Sequence, residues 1–194
     1  MNSIAFAQQI RTNGLGVWPG FLSKSSLQAL AADLSECQEA GSFARACTGQ
    51  GSGHGIHELV RRDTVHWLGR VDNTAAQSNL WVRIDALKKV LNQTLFLGLS
   101  EFDGHYASYP DGGFYRRHLD CFKGDSTRVV SLILYLNLAW TAADGGLLRV
   151  YGVNSHTDIK PIGGTLVCFL SAESEHEVLT THCPRNSFTG WFKR

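Results

Sequence analysis

The sequence predicts a mainly β chain with supporting helices: a double-sheet jelly roll or barrel with two helices packed on its outside. Two observations predict it. Before residue 98 apolar residues recur twice at helical spacing, and after it come several short apolar runs, each preceded by turn residues. At 194 residues the chain is long enough to bury roughly 70% of its unfolded surface, so a core forms without staples. Its 43% hydrophobic and 18% charged residues are ordinary globular values, which excludes disordered and fibrous classes.

The first helix is expected over 25–38, where Leu27, Leu30, Ala31 and Leu34 share a face, serines precede them as caps and Gly41 follows. The second is expected over 76–97, with Leu80, Ile84, Leu87 and Leu91 in register and Gly98 as the stop. Between them, glycines at 49, 51, 53 and 55 predict a mobile loop running into a strand near Val65–Leu68. The run from Val129 to Leu136 reads as a strand buried on both faces or nearly so. Leu147–Tyr151, Thr165–Leu170 and Ser187–Phe192 follow, introduced by turns such as Asp144-Gly145-Gly146 and Gly163-Gly164. One domain over 1–194 is expected, with helical support and the Gly-rich loop in 1–98 and the jelly-roll core in 99–194.

Lys plus Arg number 18 and Asp plus Glu 17, a formal net charge of +1. That balance carries no electrostatic footprint for nucleic acid or an anionic membrane. No apolar run is long enough to cross a bilayer. The N-terminal MNSIAFAQQIRTNG does not read as a secretory signal. Five cysteines without a C-x-x-C pair fit free thiols in a reducing compartment, so a cytoplasmic location is expected.

The chemistry concentrates in His118-Leu119-Asp120, His176 and Arg185. In an extended segment residues two apart point the same way, so His118 and Asp120 can reach one metal together. His176 would arrive from a distant strand edge. Two imidazoles and a carboxylate on one face leave the opposite positions open, the arrangement of non-haem Fe(II) oxygenases. Arg185, nine residues past His176, is placed to fork onto a co-substrate carboxylate. A second H-x-D, His156-Thr157-Asp158, stands too close to His176 for the intervening strands and reads as a polar loop. His182 competes as third ligand but lies only three residues from Arg185.

The segment from about Val60 to Phe192 resembles the 2-oxoglutarate- and Fe(II)-dependent prolyl hydroxylases. It looks closest to the branch of the animal hypoxia-inducible-factor enzymes and bacterial relatives that act on elongation factor Tu. The residues that carry this are Arg62-Asp63-Thr64-Val65-His66-Trp67-Leu68, Tyr109-Pro110, Tyr115-x-Arg117-His118-x-Asp120, Leu134-Tyr135-Leu136-Asn137 with Trp140, Gly145-Gly146-x-Leu148-Arg149, His176-Glu177-Val178, and Arg185 with Thr189 and Trp191.

The resemblance implies a double-stranded β-helix core in which His118, Asp120 and His176 hold Fe(II). It implies that Arg185 and Tyr135 bind the distal carboxylate of 2-oxoglutarate, that Tyr109 lines the co-substrate pocket and that Trp191 is a pocket wall. Arg128, Arg62 and Trp191 become substrate-side residues, with the Gly49–Gly55 loop closing over the substrate. Fe(II), 2-oxoglutarate and O2 are the implied cofactors, with ascorbate as an accessory. The implied reaction is C4 hydroxylation of a prolyl residue in a protein, elongation factor Tu being the preferred target, by an enzyme expected to be a monomer. Two departures bear on the substrate edge: the Tyr109-to-His118 interval is one residue shorter than in the animal enzymes, and the chain stops two residues after Phe192. Three rival readings are weaker. A same-fold nucleic-acid demethylase would want a second arginine where Trp191 stands, a silent binding module would not need the triad, and a zinc site would leave Arg185 without purpose.

Overall fold

The computed structural model describes residues 1–47, 55–121 and 127–194. The Gly-rich loop expected to close over substrate lies outside the described residues except for Gly55. Three helices, α1 (Ser3–Asn13), α2 (Lys24–Glu39) and α3 (Ala75–Leu95), accompany two sheets. The larger sheet runs in the order β1 (Leu15–Trp18), β9 (Leu166–Leu170), β6 (Arg128–Tyr135), β11 (Arg185–Lys193), β4 (Glu101–Tyr109), β3 (Thr64–Leu68) and β2 (Ala44–Arg45). The smaller runs β5 (Tyr115–His118), β10 (His176–Val178), β7 (Leu148–Tyr151) and β8 (His156–Ile159), and every pairing is antiparallel. This is the jelly roll the strand spacing predicts.

Strand periodicity assigns each residue of the central strands to one of two cores. On β6, Val130, Leu132 and Leu134 face the helices, where they join Phe6, Leu30, Leu80, Ile84 and Phe188. The alternate residues Ile133 and Tyr135 face the smaller sheet and meet Leu148, Val150 and Val178. So β6 is apolar throughout because both of its faces are covered. Gly104 and Gly190 are cross-strand partners on β4 and β11. A Cβ on Gly104 would stand 2.4 Å from Phe188 Cζ, and one on Gly190 2.4 Å from Phe102 Cζ. The two glycines therefore make room for stacked aromatic rings, which tie α3 to the sheet through Trp81.

The helices hold to the sheet partly through one buried carboxylate. Asp33 of α2 accepts hydrogen bonds from Thr74 Oγ1 (2.6 Å), Gln77 Nε2 (2.9 Å) and Tyr106 Oη (2.6 Å). Thr74 is also the N-cap of α3, its hydroxyl accepting from the Gln77 amide.

The fold departs from the sequence reading in several places. A third helix, α1, precedes the two expected; Asn2 caps it, and only Phe6, Ala7 and Ile10 are buried, too few for a strong periodic signal. Besides helical support and the expected strand near Val65–Leu68, which is β3, the first 98 residues supply the unexpected β1 and β2 to the larger sheet. Helix α3 stops at Leu95, earlier than Gly98, because Asn92 turns the chain by bonding both the amide and the carbonyl of Leu99 (2.7 and 2.8 Å). Finally, His156 and Asp158 belong to strand β8. Its residues are exposed and polar up to the buried Ile159, but Arg149 of β7 forks onto Asp158 across the pair (both bonds 2.8 Å). Cross-strand pairing overrides weak intrinsic propensity at this edge.

Candidate active site

The two sheets enclose a cavity of about 540 Å³, lined by side chains from both. Strand β5 ends at His118, which stands opposite His176 of β10 in the register. Their rings lie 4.2 Å apart between centroids. Asp120, two residues beyond His118, faces both: its Oδ1 is 3.6 Å from His118 Nε2 and its Oδ2 is 3.7 Å from His176 Nε2. Among the described residues, these three form a group able to hold a metal ion.

The tautomers suit a metal. His118 Nδ1 sits 2.7 Å from the Arg116 carbonyl and His176 Nδ1 3.1 Å from the Ser174 carbonyl. A carbonyl only accepts, so each Nδ1 donates, and in the neutral ring each Nε2 presents its lone pair to the shared point. Burial, partly offset by Asp120, lowers the His176 pKa to about 4 and keeps its ring neutral. Burial alone would raise Asp120, but in the acid range where a carboxyl titrates the charged His176 and His118, with a hydrogen bond from Ser131, outweigh it and hold the carboxyl well below the usual range.

Arg185, at the start of β11, is 3% exposed. Its Nε donates to the Gly146 carbonyl (2.8 Å), and its guanidinium carbon lies 5.1 Å from the ring centroids of both Tyr109 and Tyr135. Gly146 has a φ of +68°, and a Cβ there would stand 2.9 Å from Arg185 Cδ. Glycine thus permits both the turn and the close approach. No carboxylate pairs with Arg185 among the described residues. A buried cation without a counter-charge is costly unless a ligand supplies one. The Tyr135 hydroxyl beside it is likewise buried and without a hydrogen-bond partner among the described residues. Both features suit the carboxylate of a bound acid.

The remaining expected residues are placed as follows. Tyr109, Arg128 and Trp191 line the cavity. Arg128 lies over the Trp191 ring at 3.7 Å and donates to the Asp120 backbone carbonyl (3.2 Å). Arg62 does not line it: the side chain is exposed, over Phe114 and bonded to the Glu58 carbonyl. Arg61, bridged to Tyr115, lines the cavity in its place. Arg61 grips Asp63 through two bonds (2.6 and 2.5 Å) and covers the Tyr115 ring at 4.2 Å. Tyr115 in turn stacks on His118 at 3.6 Å.

Three further residues escaped the sequence reading. His105, two positions from Ala107 and four from Tyr109 on the cavity face of β4, sits between Trp67 and Trp191 (4.7 and 5.5 Å). Burial, with Arg61 and Arg128 nearby, lowers its pKa to about 3, so it is a neutral ring. Ser131 and Ser171 lie beneath Asp120. The one signal in the sequence was Ser131 itself, a serine inside the apolar run of β6.

Comparison with known proteins agrees with this geometry. The family model of the 2OG-Fe(II) oxygenase superfamily matches residues 104–193. The crystal structure of a Pseudomonas putida prolyl-4-hydroxylase is 38% identical and superposes with a TM-score of 0.91, covering 100% of this chain and 99% of that one. A prolyl hydroxylase from Trichoplax adhaerens, solved with a hypoxia-inducible-factor oxygen degradation domain peptide, is 27% identical with a TM-score of 0.88, over 98% of this chain and 88% of that one. The viral collagen prolyl hydroxylase of Paramecium bursaria Chlorella virus-1, at 16% identity and a TM-score of 0.66 over 93% and 96% of the two chains, shares the fold. With its double-stranded β-helix core, its His-Asp-His cluster and these relatives, the chain belongs to the prolyl hydroxylase family of 2-oxoglutarate- and Fe(II)-dependent dioxygenases.

Proposed function

We propose that this enzyme hydroxylates C4 of a prolyl residue in a protein substrate, with bacterial elongation factor Tu the first target to test. The observation that carries the reading is the pairing of a two-histidine, one-carboxylate cluster with the buried, unpaired Arg185 in one cavity. In this reading His118, Asp120 and His176 hold Fe(II), and Arg185 and Tyr135 hold the distal carboxylate of 2-oxoglutarate. Fe(II) with 2-oxoglutarate and O2 supplies the oxidation: one oxygen atom enters the C–H bond, the other leaves in succinate, and CO2 is released.

The protein's own contribution is positioning and exclusion. The Arg185 fork fixes the co-substrate in one orientation, and the Gly146 carbonyl fixes Arg185. Tyr109 bounds the co-substrate pocket. Ile133, Leu148 and Val178 present apolar walls that keep water from the reacting centre. Trp191 and Arg128, stacked on each other, form the wall where a peptide would lie, and Arg61 bounds the cavity near Tyr115. The Trichoplax relative was solved with a peptide, which supports a protein substrate for this chain too. Ascorbate, in this reading, returns iron to the ferrous state between turnovers, and the enzyme acts as a monomer.

The test is a mass spectrum of elongation factor Tu after incubation with the enzyme, Fe(II), 2-oxoglutarate and air, with His118→Ala and Arg185→Ala alongside. One added oxygen on a proline, absent with both variants, is the expected result. Succinate production without that oxygen would overturn the target, and no turnover with iron bound would overturn the reaction.

A further inference from the structure

Asp120 rests on two buried hydroxyls. Ser131 Oγ is 2.6 Å from Asp120 Oδ2, and Ser131 Oγ is 2.9 Å from Ser171 Oγ. Ser131 is 1% exposed and Ser171 0%, so no bulk water shares these bonds. Each hydroxyl has one proton. The carboxylate can only accept, so Ser131 donates its proton to Asp120. Its bond to Ser171 must then run the other way, with Ser171 the donor. The chain of bonds has one direction: Ser171 to Ser131 to Asp120.

The strands fix this arrangement. Ser131 stands in β6 with Ile133 and Tyr135 on the same face, and Ser171 follows directly after β9, the neighbouring strand. The Ser171 amide donates to the Val129 carbonyl (3.0 Å), pinning it beside Ser131. The backbone of Asp120 is held separately, by Arg128 on its carbonyl oxygen (3.2 Å). Its Oδ2 takes the hydrogen bond from Ser131 and also faces His176 Nε2 (3.7 Å), while Oδ1 faces His118 Nε2 (3.6 Å) and takes no bond from either serine.

We propose that Ser131 and Ser171 are positioning residues that hold Asp120 as a one-oxygen metal ligand: Oδ2 is tethered and Oδ1 is left for the ion. The bond from Ser131 occupies one lone pair of Oδ2 and disfavours chelation through both oxygens, which leaves more of the metal's coordination sphere to co-substrate and O2. The serines sit behind Asp120 and touch neither. The inference rests on the assignment of His118, Asp120 and His176 as metal ligands. Partners of this kind, one bond removed from the metal, contribute roughly 10–100-fold in metal affinity.

The test is titration of the metal-free protein with Mn(II) alone, by calorimetry and electron paramagnetic resonance, with no turnover required. Ser131→Ala should weaken Mn(II) binding about 10–100-fold. Ser131→Cys, near-isosteric with a weaker donor, should recover part of the loss, and Ser171→Ala should produce a smaller fall in the same direction. Thermal unfolding of the metal-free variants separates this from a structural role. Lower stability with unchanged Mn(II) affinity would overturn the proposal, as would Ser131→Cys and Ser171→Ala both binding like wild type should Ser131→Ala fail to fold. Absence of Mn(II) binding by the wild-type protein would instead overturn the ligand assignment itself.

Discussion

His118 and His176 are register partners across β5 and β10, so a single rung of the ladder places both imidazoles against Asp120. Their separation is set by strand spacing and does not depend on loop conformation. Only Asp120 lies beyond the end of a strand, and it is the residue given extra support, by Ser131 and Arg128.

From this arrangement, metal should stabilise the fold. A ligand at a hundredfold excess over its Kd contributes about 2.7 kcal/mol, which for a domain of this size is a rise of roughly 5–10 °C in Tm. Differential scanning calorimetry with saturating Mn(II) should show that rise for the wild-type protein and none for His176→Ala.

Gly146 ties the metal side of the cavity to its arginine. Gly146→Ala forces a side chain into the left-handed region and against Arg185. We expect the variant to lose about 1–3 kcal/mol of stability from strain and overpacking. It should also raise the KM for 2-oxoglutarate, measured by succinate release, more than it lowers kcat. A stability loss with unchanged KM would separate the turn from the Arg185 contact.

The Asp33 junction should matter to stability alone. Asp33→Ala leaves the buried donors of Gln77 and Tyr106 without their acceptor, while the exposed Thr74 can turn to water, at an expected cost of about 3–5 kcal/mol. Tyr106→Phe removes one bond and should cost about 1.5–3 kcal/mol. Urea denaturation measures both, and the KM for 2-oxoglutarate of the folded Tyr106→Phe enzyme should match wild type.

How much of this was legible in the sequence follows from how local each feature is. The helical stripe of Leu80, Ile84 and Leu87 and the apolar run of β6 are local patterns, and both elements fall where they were expected. His118, Asp120, His176 and Arg185 were likewise legible as residue types at recognisable spacings, and the fold gathers them into one cavity. What escaped depends on partners far away in the chain. Strand β4 carries Gly104 and Asp103 and reads poorly as a strand, yet it is paired on both sides by β11 and β3. Strand β8 is polar and exists through its pairing with β7. Arg61 and Arg62 are adjacent in sequence, and only the bridge of Arg61 to Tyr115 decides which one reaches the cavity. Ser131 gained meaning when the fold placed it under Asp120.

The central claim is that Arg185 and the metal cluster form one co-substrate site. It is tested most directly by anaerobic calorimetric titration of the Mn(II)-loaded protein with 2-oxoglutarate, comparing wild type, Arg185→Lys and Arg185→Ala. Mn(II) binding should be unchanged in all three. Affinity for 2-oxoglutarate should fall by at least about 2 kcal/mol in Arg185→Ala, roughly thirtyfold or more, with Arg185→Lys between because it keeps the charge and loses the fork. Equal 2-oxoglutarate affinity in wild type and Arg185→Ala would contradict it.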